Sequence, residues 1–151
     1  AGADPGATKI EKARALGLSE TRFEDASGLS RANVSSAVDL CRLVNAAYHY
    51  RLVRTFSTRR EFVLRSDQKK IRFVNTNPLV RNGAWDIGLS KTGYIQEAGR
   101  CLVMQASLRQ RPVVIVLLNA SGDRARVEDI MRIRRWLEKI GPFPGNQNQD
   151  T

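Results

Sequence analysis

The stretch Trp85-Asp86-Ile87-Gly88-Leu89-Ser90-Lys91-Thr92-Gly93-Tyr94-Ile95-Gln96-Glu97-Ala98-Gly99-Arg100-Cys101-Leu102-Val103 decides how this chain is read. Trp85, Ile87 and Leu89 alternate along it, the period of a half-buried strand. Gln96 to Gly99 is turn chemistry and Arg100 to Leu108 resumes a strand, which predicts a hairpin. At its centre stands Lys91-Thr92-Gly93. On a strand, that tripeptide supplies a fixed positive charge for a carboxylate and a short hydroxyl donor. Its glycine removes a side chain where a ligand backbone approaches the sheet edge.

Toward the C-terminus, Pro112 to Asn119 reads as a further strand, and Gln110-Arg111-Pro112 is a link short enough for antiparallel neighbours. Asp123 is placed to cap a last helix, whose Val127, Ile130, Met131, Ile133, Arg134 and Leu137 give it one broad apolar face. Gly141-Pro142-Phe143-Pro144-Gly145 ends that helix, and Asn146 to Thr151 is a polar tail.

Toward the N-terminus, Asn75-Thr76-Asn77-Pro78 is loop chemistry, because Pro78 drives Asn77 away from helix. Glu61 to Leu64 and Ile71 to Val74 read as two strands around the polar turn Ser66-Asp67-Gln68-Lys69. A helix begins near Ser35 or Ser36, where Ser36-Ala37-Val38-Asp39 resembles a capping box. Val38, Cys41, Val44 and Ala47 follow at helical spacing and predict one core-facing side. Residues 18 to 32 are loop-like, with Asp25, Ser27, Gly28 and Ser30 as turn formers, and residues 8 to 17 predict a short helix stopped by Gly17. Helices at the ends and consecutive strands in the middle give an α+β fold, an antiparallel sheet flanked by helices.

With 151 residues, 42% hydrophobic and 26% charged, the chain is neither disordered nor fibrous and has the length of one domain. Its net charge of +10 comes mostly from arginine and favours polyanionic surroundings, but the basic residues form no single run. The basic helix from Arg124 to Lys139 has an apolar face wide enough to pack on a sheet, so nucleic acid is not expected as a partner. The longest apolar run, Val113 to Leu118, is far short of a membrane span, and no signal-peptide core opens the chain. Cys41 and Cys101 read as two buried thiols, though an oxidising compartment would leave a single bridge open to them. With His49 the lone histidine, and read as a surface or cap residue, no metal site is expected.

Taken together, several segments resemble one family. They are Asp25-Ala26-Ser27-Gly28-Leu29, Asn33 to Leu40, Asn75 to Val80, Trp85-Asp86-Ile87, Lys91-Thr92-Gly93-Tyr94 and Glu97 to Val103, in that order. This is the pattern of the low-molecular-mass penicillin-binding proteins, the D-alanyl-D-alanine carboxypeptidases and endopeptidases. The likeness covers roughly residues 9 to 140 and looks strongest to the branch that cuts peptidoglycan cross-links. It implies the C-terminal part of the transpeptidase fold shared with serine β-lactamases. It also implies a serine acyl-enzyme without metal or cofactor, acting on peptidoglycan peptides, open to β-lactams and working in the bacterial periplasm after export. By the same resemblance, Lys91 and Thr92 would hold the substrate carboxylate and Gly93 would leave room. The backbone N–H of Tyr94 would donate to the oxyanion.

The chain departs from that pattern in one respect. The family carries Ser-x-x-Lys, Ser-x-Asn and Lys-Thr-Gly, and here only the third is found in its place. Ser66-Asp67-Gln68-Lys69 matches the first literally, but in a polar turn, where Lys69 is not brought onto the Ser66 hydroxyl. No nucleophile or base is therefore identified. Residues 1–145 are expected to be the C-terminal portion of such a domain, completed by an N-terminal chain or segment and inactive without it. The alternative is a non-catalytic fragment that binds cell-wall peptide.

Overall fold

A computed structural model of the chain describes residues 5–25, 27–66 and 69–140. The predicted terminator Gly141-Pro142-Phe143-Pro144-Gly145, the tail 146–151 and the centre of the Ser66 to Lys69 turn lie outside them.

Helix α1, Pro5–Ala15, ends as the glycine predicts. Gly17 takes φ +67, its N–H bonds the Arg14 carbonyl at 2.9 Å, and the Leu18 N–H bonds the Ala13 carbonyl at 2.9 Å. That is a Schellman closure, sealed by buried Ala13 and Leu18. In helix α2, Ala37–Tyr48, the hydroxyl of the N-cap Ser36 accepts from the Asp39 N–H. Asp39 does not complete the capping box. Its buried carboxylate instead accepts the Glu20 N–H and the Thr21 hydroxyl, each at 2.8 Å, and pairs with Arg42 at 2.9 Å. Arg42 also donates to the Gly17 carbonyl, so Asp39 and Arg42 fasten the turn after α1 onto α2.

A seven-residue helix not foreseen in the sequence, α3 (Arg51–Ser57), follows. Strands β1 (Glu61–Arg65) and β2 (Lys70–Val74) form the expected antiparallel hairpin, Phe62 opposite Phe73 and Leu64 opposite Ile71. The segment read as loop at Asn77-Pro78 starts a short helix, α4 (Pro78–Asn82). Its cap is the Asn77 side chain, Pro78 stands in its first turn, and Gly83 ends it at φ 62.

Strands β3 (Asp86–Ile95), β4 (Gly99–Leu108) and β5 (Arg111–Ala120) make an antiparallel sheet in the order β3-β4-β5. A bulge between Ile87 and Leu89 interrupts the alternation read there. Beyond it Leu89 and Ser90 point to opposite faces of the sheet, and both are buried because both faces are covered there. Helix α5, Asp123–Lys139, starts at Gly122. Asp123 is the first helical residue and not the cap; it pairs with Arg126 at 2.9 Å and Arg100 at 3.1 Å, tying the helix to β4.

Leu102, Met104 and Ala106 of β4, Ile115 of β5, Leu79 of α4 and Ile130 of α5 form the buried core. Trp85, Ile87, Val127 and Ile133 pack against it. The apolar face expected on α2 is covered in part. Val44 is buried, whereas Val38 stays 59% exposed. Trp136 of α5 is also 59% exposed. Both cysteines are half-buried free thiols, and His49 is the C-cap of α2.

Candidate functional site

Strand β3 is the edge of its sheet, and among the described residues no strand pairs with its outer side. Its first half is nevertheless covered. The Ser90 N–H donates to the Ser57 hydroxyl at the end of α3, at 3.3 Å, so this N–H points away from β4. The register with β4 runs without interruption from Leu89 to Ile95. With a period of two, the N–H groups of Thr92 and Tyr94 face the same outer edge as that of Ser90. The covered edge thus ends at Ser90, and the accessible edge begins with Lys91-Thr92-Gly93-Tyr94.

The four predicted site residues occupy successive positions on this edge. Lys91 is exposed, and its ammonium group folds back on the Thr92 carbonyl. Thr92 is half-buried, with its hydroxyl 2.6 Å from that of Thr76. Among the described residues a Cβ built on Gly93 would meet nothing within 4 Å, so these residues do not demand glycine there. Tyr94 is exposed, and the Arg100 guanidinium lies 4.7 Å from the centre of its ring. Arg100 is its cross-strand partner and is held in turn by Asp123, so an ion pair and a cation–π contact steady the end of the edge.

The segment before α4 supports the edge from behind. Asn77 is buried, donates to the Ser90 hydroxyl at 2.9 Å, and accepts the Leu79 N–H at 3.0 Å. The Asn75 amide donates to the carbonyls of Ser57 and Arg59, both at 3.0 Å. Two asparagines therefore bind α3, the hairpin and β3 into one support, with Thr76 between them. Thr76 and Ser57 were not foreseen as site residues. The pattern of Asn77, Pro78 and Gly83, an N-cap asparagine, an N1 proline and a left-handed terminator, was the signal that could have located this support.

No helix among the described residues is long and apolar enough to cross a membrane. Ser66 lies at the closing end of the β1–β2 turn, its N–H bonded to the Lys69 carbonyl at 2.9 Å.

The helix-flanked antiparallel architecture is that of the penicillin-binding proteins. The crystal structure of the Streptomyces K15 DD-transpeptidase superposes with a TM-score of 0.76 at 25% identity, over 86% of this chain and 52% of that one. Residues 8–122 match the D-alanyl-D-alanine carboxypeptidase family, and the chain belongs to that family. It is 44% identical over 129 residues to a D-alanyl-D-alanine endopeptidase of Pseudomonas aeruginosa, covering 84% of this chain and 42% of that protein. It is 40% identical over 137 residues to the D-alanyl-D-alanine endopeptidase of Escherichia coli, covering 88% and 44%. The chain spans less than half the length of these curated relatives.

Proposed function

We propose that this chain supplies the substrate-binding strand of a serine-type D-alanyl-D-alanine carboxypeptidase or endopeptidase acting on peptidoglycan peptides in the bacterial periplasm. The observation that carries the reading is the transition at Ser90, where the cover of α3 ends and the edge of Lys91-Thr92-Gly93-Tyr94 becomes accessible. A stem peptide laid along it would pair with the outward N–H groups as an added strand. Lys91 and the Thr92 hydroxyl would take its carboxylate. The missing side chain of Gly93 would let its backbone come close.

The Tyr94 N–H would donate to the oxygen of the attacked carbonyl. The serine and its lysine base belong to an N-terminal segment or chain that completes the domain. The serine oxygen adds to the D-alanyl carbonyl, the amide C–N bond breaks, and the protonated amine leaves. Water then releases the acyl group. β-Lactams would form the same acyl bond. Higher identity to endopeptidases than to the 30% identical Bacillus subtilis carboxypeptidase supports cross-linked peptides as substrates.

Digestion of purified muropeptides by the completed enzyme tests this. Lys91→Ala is expected to reduce cleavage at least 100-fold, since it removes the charge that orients the substrate. Unchanged cleavage by that variant would contradict the assignment. Peptide binding without any turnover by the completed protein would favour the cell-wall-binding alternative.

A further inference from the structure

We infer that Thr76 is a positioning residue for Thr92, fixing that hydroxyl so that its proton is available to a bound carboxylate. The inference rests on the reading of the Lys91-Thr92-Gly93 edge as a ligand-binding edge. Its starting point is the 2.6 Å separation of the two hydroxyl oxygens.

A threonine hydroxyl has one proton and two acceptor lone pairs. A carboxylate only accepts, so Thr92 must spend its one proton on the ligand. It can do so while keeping its contact with Thr76 only if Thr76 is the donor in the pair. Thr92 then accepts from Thr76 and donates to the carboxylate, a chain in which each bond polarises the next.

The surrounding structure holds Thr76 where this arrangement needs it. Asn75 is bonded through its backbone N–H to the Arg60 carbonyl at 2.9 Å and through its amide to the carbonyls of Ser57 and Arg59. Asn77 is bonded to Ser90, two residues before Thr92 on the same face of β3. Positions 76 and 77 are thus cross-linked to positions 92 and 90, and neither partner of the hydroxyl pair can drift along the other. The pair is exposed, so in the unliganded protein water substitutes for either hydroxyl and the contact adds little to stability. Its effect emerges when a ligand covers the edge and excludes that water.

The test uses the enzyme with its serine-bearing portion present and follows acylation by penicillin, with binding and acylation steps separated. Thr76→Val is expected to slow acylation roughly tenfold with the melting temperature unchanged, the scale of one hydrogen bond. Thr76→Ser is expected to regain the rate, because it keeps the donor. Thr76→Val combined with Thr92→Val is expected to be no slower than Thr92→Val alone. A wild-type rate in Thr76→Val, failure of the serine rescue, or losses that multiply would overturn the inference.

The side-chain couplings of Thr92, measured by NMR in the same proteins, distinguish loss of the positioning role from loss of ligand binding at the edge. Acylation of the wild type with Thr92 and its rate indifferent to Thr76→Val overturns the positioning role alone. If the Thr92 rotamer loosens in Thr76→Val while penicillin fails to acylate the completed wild-type enzyme, the ligand-binding reading is overturned and the coupling of the two hydroxyls stands.

Discussion

A Cβ on Gly88 would lie 2.4 Å from Gln105 Oε1 and 2.5 Å from the ring of Tyr48, whereas one on Gly93 would touch nothing within 4 Å. The two glycines of β3 therefore answer to different demands. Gly88→Ala is expected to destabilise the fold by about 1–3 kcal/mol, the usual cost of overpacking, measured by chemical denaturation. Gly93→Ala is expected to leave stability the same or slightly higher while weakening peptide binding at the edge. Loss of folding in Gly93→Ala would show that the glycine is structural instead.

Two carboxylates make a residue-scale prediction about pH. Asp25 accepts from the Ser27 hydroxyl, the Asn33 amide and the N–H groups of Gly28 and Ser30, and these bonds hold its carboxyl well below the usual range. Burial pushes the Asp39 carboxyl up, but the bonds from Glu20 and Thr21 and the Arg42 charge outweigh it and the net shift is down. A folded value below the unfolded value, near 3.9, means that both groups contribute stability above about pH 4. That stability is lost as the pH falls through the folded values. Asp39→Asn is expected to lower the melting temperature at pH 7 and to flatten its fall between about pH 5 and 3. An unchanged acid profile would contradict the linkage.

At the scale of elements, the long strands, the hairpins, α2 and α5 were legible because periodicity and punctuation agree over ten or more residues. Helices α3 and α4 were not. Seven and five residues are too few for a period to show, and Leu52, Val53 and Phe56 of α3 stay exposed among the described residues. Asp39 and Asp123 were placed at helix starts correctly, but each forms longer-range bonds that a local capping rule cannot foresee. The Lys-Thr-Gly edge was legible as a motif. Its support by Asn75, Thr76 and Asn77 was not, because it depends on which loop the fold lays beside β3.

The β4–β5 link offers an element-scale test. Arg109 and Gln110 adopt φ 51 and 63, a left-handed two-residue turn built without glycine. Replacing them with Asn and Gly is expected to stabilise the sheet by about 0.5–1 kcal/mol, read from the denaturation midpoint. A lower midpoint would mean that side-chain contacts, not backbone strain, decide this turn.

At the scale of the whole molecule, the uncovered apolar surface is the main feature. Leu52 is 68% exposed and Phe56 63%, and the Phe62/Phe73 and Leu64/Ile71 pairs share one open face of their hairpin. Burial of these residues against the N-terminal complement proposed above would account for them. The chain alone is expected to bind a hydrophobic dye and to melt over a broad range. The completed domain is expected to melt sharply as a monomer. A cooperative, monomeric melt of the chain alone would count against that arrangement.

Penicillin shows whether this chain contributes the substrate clamp of a serine acyl-enzyme. Intact mass is measured under denaturing conditions after incubation of the chain with and without its serine-bearing complement. An adduct is expected only when both are present, carried by the complement and strongly reduced by Lys91→Ala. An adduct on this chain itself, or none on the completed protein, would contradict it.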